Sequence, residues 1–186
     1  MQSKKQQFPE YSAYSDEQLL TAYLTGPDRL RQAIKDLAED ELKARPRGPE
    51  KWSIHELVQH VFDSELQGAF RIRKVIAEPG APLPGYDQDR WTQRLGHQQA
   101  SADERNLCLD GFLAIRELTA KLFKSAPSTE WDQLKGAHPD FGEVSLRNLL
   151  QLYADHSERH IEHILESRKL LGRGIELPQL LPIRLY

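Results

Sequence analysis

Apolar residues recur along this chain at three- and four-residue spacing over four long stretches, the period of helices that bury one face. These run from about Asp16 to Leu37, Ser53 to Ala77, Ser101 to Lys124 and Ser145 to Leu171. Ile54, Leu57, Val58, Val61, Ile72 and Ile76 make the apolar face of the second; Leu146, Leu150, Tyr153, Ile161, Ile164 and Leu171 make that of the fourth. Three starts carry a capping box, in which a serine hydroxyl and a Glu or Gln side chain satisfy each other's orphan backbone donors: Ser15 with Gln18, Ser53 with Glu56, and Ser101 with Glu104. Ser145 predicts a cap without the box for the fourth. Thr25-Gly26-Pro27 predicts an interruption of the first, because proline has no amide hydrogen to donate, and Gly172 marks the end of the fourth. No stretch alternates with period two, and no internal repeat is visible. The predicted fold is an all-α four-helix bundle over about residues 16–171, within a single domain spanning 1–186.

Two segments do not fit a minimal bundle. Glu78 to Gln99 is a long connection rich in Pro and Gly, then Tyr86-Asp87-Gln88-Asp89-Arg90-Trp91; connections of that length inside a compact domain more often carry function. The tail from Arg173 to Tyr186 alternates Leu, Ile and Pro and is expected to pack in extended form against the bundle or a partner. The net charge of −3 comes from interspersed signs, which argues against nucleic acid as a partner. No run approaches the roughly 18 apolar residues that cross a bilayer, and the first residues lack the apolar stretch of a signal peptide. The expectation is a soluble cytoplasmic protein without a membrane partner. A single cysteine, Cys108, lies on the apolar side of the third helix and reads as an inert thiol.

The candidate chemistry lies in Tyr153-Ala154-Asp155-His156-Ser157-Glu158-Arg159-His160. Residues four apart on a helix turn through about 400°, so His156 and His160 stack on one face, where two neutral imidazoles can grip one transition metal. A zincin-type protease needs Glu directly after the first His, and Ser157 stands there instead. A ferritin-like di-iron site needs Glu three places before a ligand His, which no histidine of this chain has. On a helical wheel His160 falls on the apolar face, His156 at its border and His163 further out, while Asp155, Glu158 and Arg159 point away. A third ligand must come from elsewhere. On the second helix Glu56, His60, Asp63, Gln67 and Lys74 form a polar stripe, and if that stripe borders a cavity His60 can reach the pair. His55, His97 and His138 read as solvated.

Three segments carry a family resemblance: Lys51-Trp52-Ser53-Ile54-His55-Glu56-Leu57-Val58-Gln59-His60-Val61-Phe62-Asp63-Ser64, Pro84 to Trp91, and Leu152 to Ile164. In order and spacing they resemble the YfiT-like branch of the DinB superfamily, over about residues 16–171. The resemblance implies a four-helix bundle in which one His of the second helix and the His-x-x-x-His pair of the last hold a divalent metal; carried over, the ligands are His60, His156 and His160. Three imidazoles leave an open coordination position, the mark of a reactive site, and suit zinc or nickel best. Three activities fit: a metal-dependent hydrolase acting on a small-molecule substrate, as YfiT-like proteins are labelled; an S-transferase using a low-molecular-weight thiol such as bacillithiol or mycothiol; or a stress-related metal-binding module without catalysis. Asp63 is a candidate to orient a ligand or a bound water, and Tyr86, Asp87, Asp89 and Trp91 are candidates for the pocket wall. A homodimer is expected, because the family often dimerises and the tail is surplus to four helices.

Overall fold

The computed structural model describes residues 14–181, and the end of the apolar tail, including Pro182, Ile183 and Leu185, lies outside the described residues. Four long helices, α1 (Asp16–Ile34), α3 (Ile54–Ala77), α5 (Ala102–Ser125) and α6 (Leu146–Leu170), form the bundle. Short helices α2 (Glu39–Lys43) and α4 (Gln88–Arg94) and an antiparallel hairpin, β1 (Lys135–His138) with β2 (Gly142–Ser145), lie in the connections. The hairpin is too short for its period to show in the sequence. All three capping boxes form, and Ser145 has one as well, with Asn148 in place of the acid. Gly172, at φ 71°, ends α6: its amide donates to the Lys169 carbonyl and that of Arg173 to the Arg168 carbonyl, the paired bonds of a left-handed helix stop.

The side chains that join the helices define their directions. His55 meets Arg105, Phe62 lies against Gly111 and Arg73 reaches Thr119, so α3 and α5 run parallel. Arg29 meets Glu158 and Arg168 meets the Ala33 carbonyl, so α1 and α6 also run parallel, and antiparallel to the other pair. Parallel neighbours cannot be joined by a tight turn. The chain leaving α3 must travel back along a helix of 24 residues, about 36 Å, before α5 can begin, which is why the Glu78 to Gln99 connection is long.

Proline 27 does not interrupt α1, contrary to expectation. A proline in a helix leaves the carbonyl four residues earlier without its donor, here that of Tyr23, and Arg116 Nη1 supplies one at 2.6 Å. Gly26 makes the approach possible, since a Cβ there would stand 2.4 Å from that same Nη1. Arg116 also pairs with Glu65 at 2.9 Å and donates to the Tyr153 carbonyl at 2.6 Å. This buried polar layer separates two apolar clusters, one around Leu19, Ile72, Val75, Leu146 and Leu150, the other around Leu30, Ile54, Leu57, Phe112 and Ile164.

Several residues expected at the surface are inside. Asp155 and Glu158 lie on the side of α6 covered by neighbouring elements: Arg29 of α1 grips Glu158 through two bonds of 2.6 and 2.8 Å, and the Leu180 amide approaches the same carboxylate. The wheel of α6 therefore has a second buried face made of paired charges rather than apolar groups. His55, His97 and His138 are buried too, each beside a polar partner: Arg105 and Gln59 for His55, Asp63 for His97, and the Asp140 amide for His138. Leu177 and Leu181 of the tail pack on the chain's own core.

Candidate metal centre

α3 and α6 cross antiparallel, and Gly68 brings them close: a Cβ there would stand 2.6 Å from the Tyr153 ring. That proximity carries His60 of α3 to the helical pair on α6. His60 Nε2 lies 3.3 Å from His156 Nε2, which lies 3.1 Å from His160 Nε2, and one ligand atom from each ring fits within a 4.8 Å group. A tetrahedral ion with bonds of about 2.0–2.1 Å needs nitrogens roughly 3.3–3.4 Å apart, so the spacing suits one. The donor chemistry agrees. Three imidazole lone pairs aimed at a common point repel unless a cation, or protons shared between them, occupies it.

The rings are held neutral, as ligation requires. Burial, then the neighbouring His97 and Arg159, pushes the His60 pKa down to about 3. Burial also holds His156 and His160 well below the ordinary histidine value, reinforced by the other rings of the trio and by Arg159. Trp52, just before the serine cap of α3, lies tilted over His60 with ring centroids 4.5 Å apart and stacks more distantly on His160. His163 sits beside His160 at 5.6 Å between centroids, outside the trio.

His156 and His160 line a cavity of about 660 Å³, a size suited to a small molecule, while His60, 1% exposed, meets them from outside its lining. Tyr86, Asp87 and Asp89 line it, as the sequence suggested; Trp91 does not, packing instead behind Tyr86 with centroids 4.9 Å apart. Asp87 also caps α4 through the Arg90 amide at 2.9 Å. Asp63 is turned toward His97, with Oδ2 3.1 Å from Nε2, and does not border the cavity. Ser64, Arg71, Trp52, Arg159 and His138 line the cavity and were missed in the sequence. Ser64 and Arg71 follow His60 by four and eleven residues on one helix, so the spacing that singled out His60 also marked them. Trp52, just before α3, and His138, at the end of β1, left no comparable signal.

Known proteins resemble this chain in sequence and in fold. The profile of the DinB superfamily matches residues 22–164. A Bacillus cereus (strain AH820) protein named "Putative metal-dependent hydrolase" is 30% identical over 149 residues, covering 78% of this chain and 81% of that protein. A Bacillus anthracis (strain A0248) protein of the same name matches at 30% over 149 residues with the same coverage of 78% and 81%. The fold is that of YfiT from Bacillus subtilis, described as "a probable metal-dependent hydrolase with an unusual four-helix bundle topology": the TM-score is 0.79 at 21% identity, covering 89% of this chain and 94% of YfiT. By the extent of the profile match and of its bacterial relatives, this chain belongs to the DinB superfamily.

Proposed function

We propose that this protein is a metal-dependent hydrolase of a small molecule, in which His60, His156 and His160 hold one divalent ion, zinc or nickel. The observation that carries the reading is the convergence of three neutral imidazole nitrogens on one point, two of whose rings, His156 and His160, line a ligand-sized cavity. When bound, such an ion would supply a water acidic enough to act as nucleophile near neutral pH and would polarise the carbonyl or phosphoryl oxygen of the group to be cleaved, making its carbon or phosphorus more electrophilic. The protein's part is placement. The α3–α6 crossing fixes the three rings, Trp52 covers two of them and keeps bulk water from that side, and Arg159, anchored to Asp155 at 2.9 Å, adds positive charge at the rim. The names of the bacterial relatives point the same way.

The test begins with elemental analysis of protein prepared without a metal-binding tag, followed by a panel of ester, amide and phosphoester substrates assayed with and without low-molecular-weight thiols. The expected result is one equivalent of metal and a hydrolytic activity that chelation removes. Substituting His156→Ala or His160→Ala should lower metal affinity and turnover on the order of a hundredfold or more while the helical circular dichroism persists. Full activity after complete chelation overturns the proposal. Turnover that appears only when a thiol is added, with the thiol sulfur bonded to the product, would make the protein an S-transferase.

A further inference from the structure

Arg71 lines the cavity and is only 5% exposed. Its Nε and Nη2 donate to the Pro84 carbonyl at 3.0 and 2.6 Å, and Nη1 donates to the Tyr153 hydroxyl at 2.7 Å. Both acceptors are neutral. Among the described residues no carboxylate comes within ion-pair distance of this guanidinium, whereas the buried Arg29, Arg105 and Arg116 each pair with one. Arg168, also buried, instead closes the carbonyl end of α1 through Ala33 and Lys35, where the helix dipole supplies the negative charge. Arg71 has neither form of compensation, and a buried charge without one is costly to keep.

A guanidinium has five N–H donors; three are used here, leaving two that can meet the two oxygens of a carboxylate. The cavity lining sets the carboxylates of Glu50, Asp87, Asp89 and Asp140 against Arg47, Lys51, Arg71 and Arg159, so the one guanidinium there without a carboxylate partner calls for a ligand of single negative charge rather than a dianion. Tyr153, which holds Arg71, stands one helical turn before His156, with ring centroids 6.5 Å apart. An anion held by Arg71 would therefore lie within one small molecule of the histidine trio.

We propose that Arg71 is the anchor for a single carboxylate carried by the substrate, which makes the substrate class a monocarboxylate with its hydrolysable bond at the histidine trio. The position of the scissile bond rests on the hydrolase reading; the anion site does not.

Calorimetric titration of the full chain, metal-loaded and metal-free, with benzoate, benzamide and phenyl phosphate tests this. Benzoate is expected to bind both forms with a Kd of about 1 mM or tighter, benzamide at least roughly tenfold more weakly, and phenyl phosphate more weakly than benzoate. Arg71→Gln should weaken benzoate about 10- to 100-fold with metal content unchanged, and Arg71→Lys, which keeps the charge but loses the planar fork, should fall between. If Arg71→Gln fails to fold, the lysine variant and the benzoate–benzamide contrast carry the test. Benzoate affinity that both variants leave intact overturns the proposal, as does no saturable benzoate binding by the wild type. Binding that disappears with the metal would place the carboxylate on the ion, and tighter phenyl phosphate would reassign the anion; either outcome also overturns it. Failure of the hydrolase reading would look different: no metal and no turnover, with Arg71-dependent benzoate binding retained.

Discussion

A single amide hydrogen missing at Pro27 is balanced by a guanidinium from another helix, and this sets what Gly26 can become. Arg116 cannot retreat from a new Cβ, because Glu65, the Tyr23 and Tyr153 carbonyls and Ser157 Oγ all hold it. Gly26→Ala would ordinarily favour a helix by about 1 kcal/mol. Here we expect the reverse, a loss of roughly 2–4 kcal/mol, because the methyl group collides with Nη1 and leaves buried partners unmatched. Urea denaturation measures it, and an unchanged or raised midpoint would show that Arg116 has room to move. At this scale the sequence was partly legible. Gly26-Pro27 signalled something special, but a break was the natural inference, because nothing local announces an arginine ninety residues away.

The elements are legible in the sequence wherever their chemistry is local. Capping boxes, the 3.6-residue apolar period and the terminal glycine depend on neighbours in sequence, and the four long helices fall within a few residues of expectation. What stayed hidden was the use of each polar face. The α3 stripe holding His60 became part of a site, while the α6 stripe holding Glu158 became a buried ion-pair seam, and a wheel assigns the same polarity to both. The α3–α6 crossing joins the histidines, so its closest point controls the site. A methyl group on Gly68 would meet the Tyr153 ring at 2.6 Å and push the helices apart. Gly68→Ala is expected to cost about 1–3 kcal/mol of stability and to weaken metal binding roughly tenfold or more at unchanged stoichiometry, with no ligand altered. Competition with a chromophoric chelator measures the affinity, and a wild-type value would mean that the crossing yields without moving His60.

For the whole molecule, the length of the 78–99 connection was legible and its cause was not. Parallel α3 and α5 demand a return path, and the same path supplies Tyr86 to the cavity wall and Gln98 and His97 to the start of α3. Such folding back also buries histidines at both ends of α3, where the sequence suggested solvated ones, and this makes the stability of the whole fold depend on pH. His138, in the hairpin near the end of α3, has its pKa lowered to about 4, by burial first and then by the Arg71 charge. Its Nδ1 accepts the Asp140 amide at 3.2 Å, a bond that only the neutral ring can make. His55, at the other end, is lowered as well, by burial and then Arg105. The folded state thus binds fewer protons than the unfolded chain between about pH 4 and 6.5, so stability rises with pH through that window. For His138 the contribution is complete above about pH 6.5 and declines as the pH falls toward 4, amounting to at most about 3 kcal/mol. Asn can offer an amide oxygen where Nδ1 stands, but it cannot titrate. Urea midpoints of metal-free His138→Asn should therefore fall less steeply than those of the wild type between pH 7 and 4.5, converging at the acid end. Parallel curves for the two proteins would mean that His138 takes up its proton in the folded state without disturbing the hairpin.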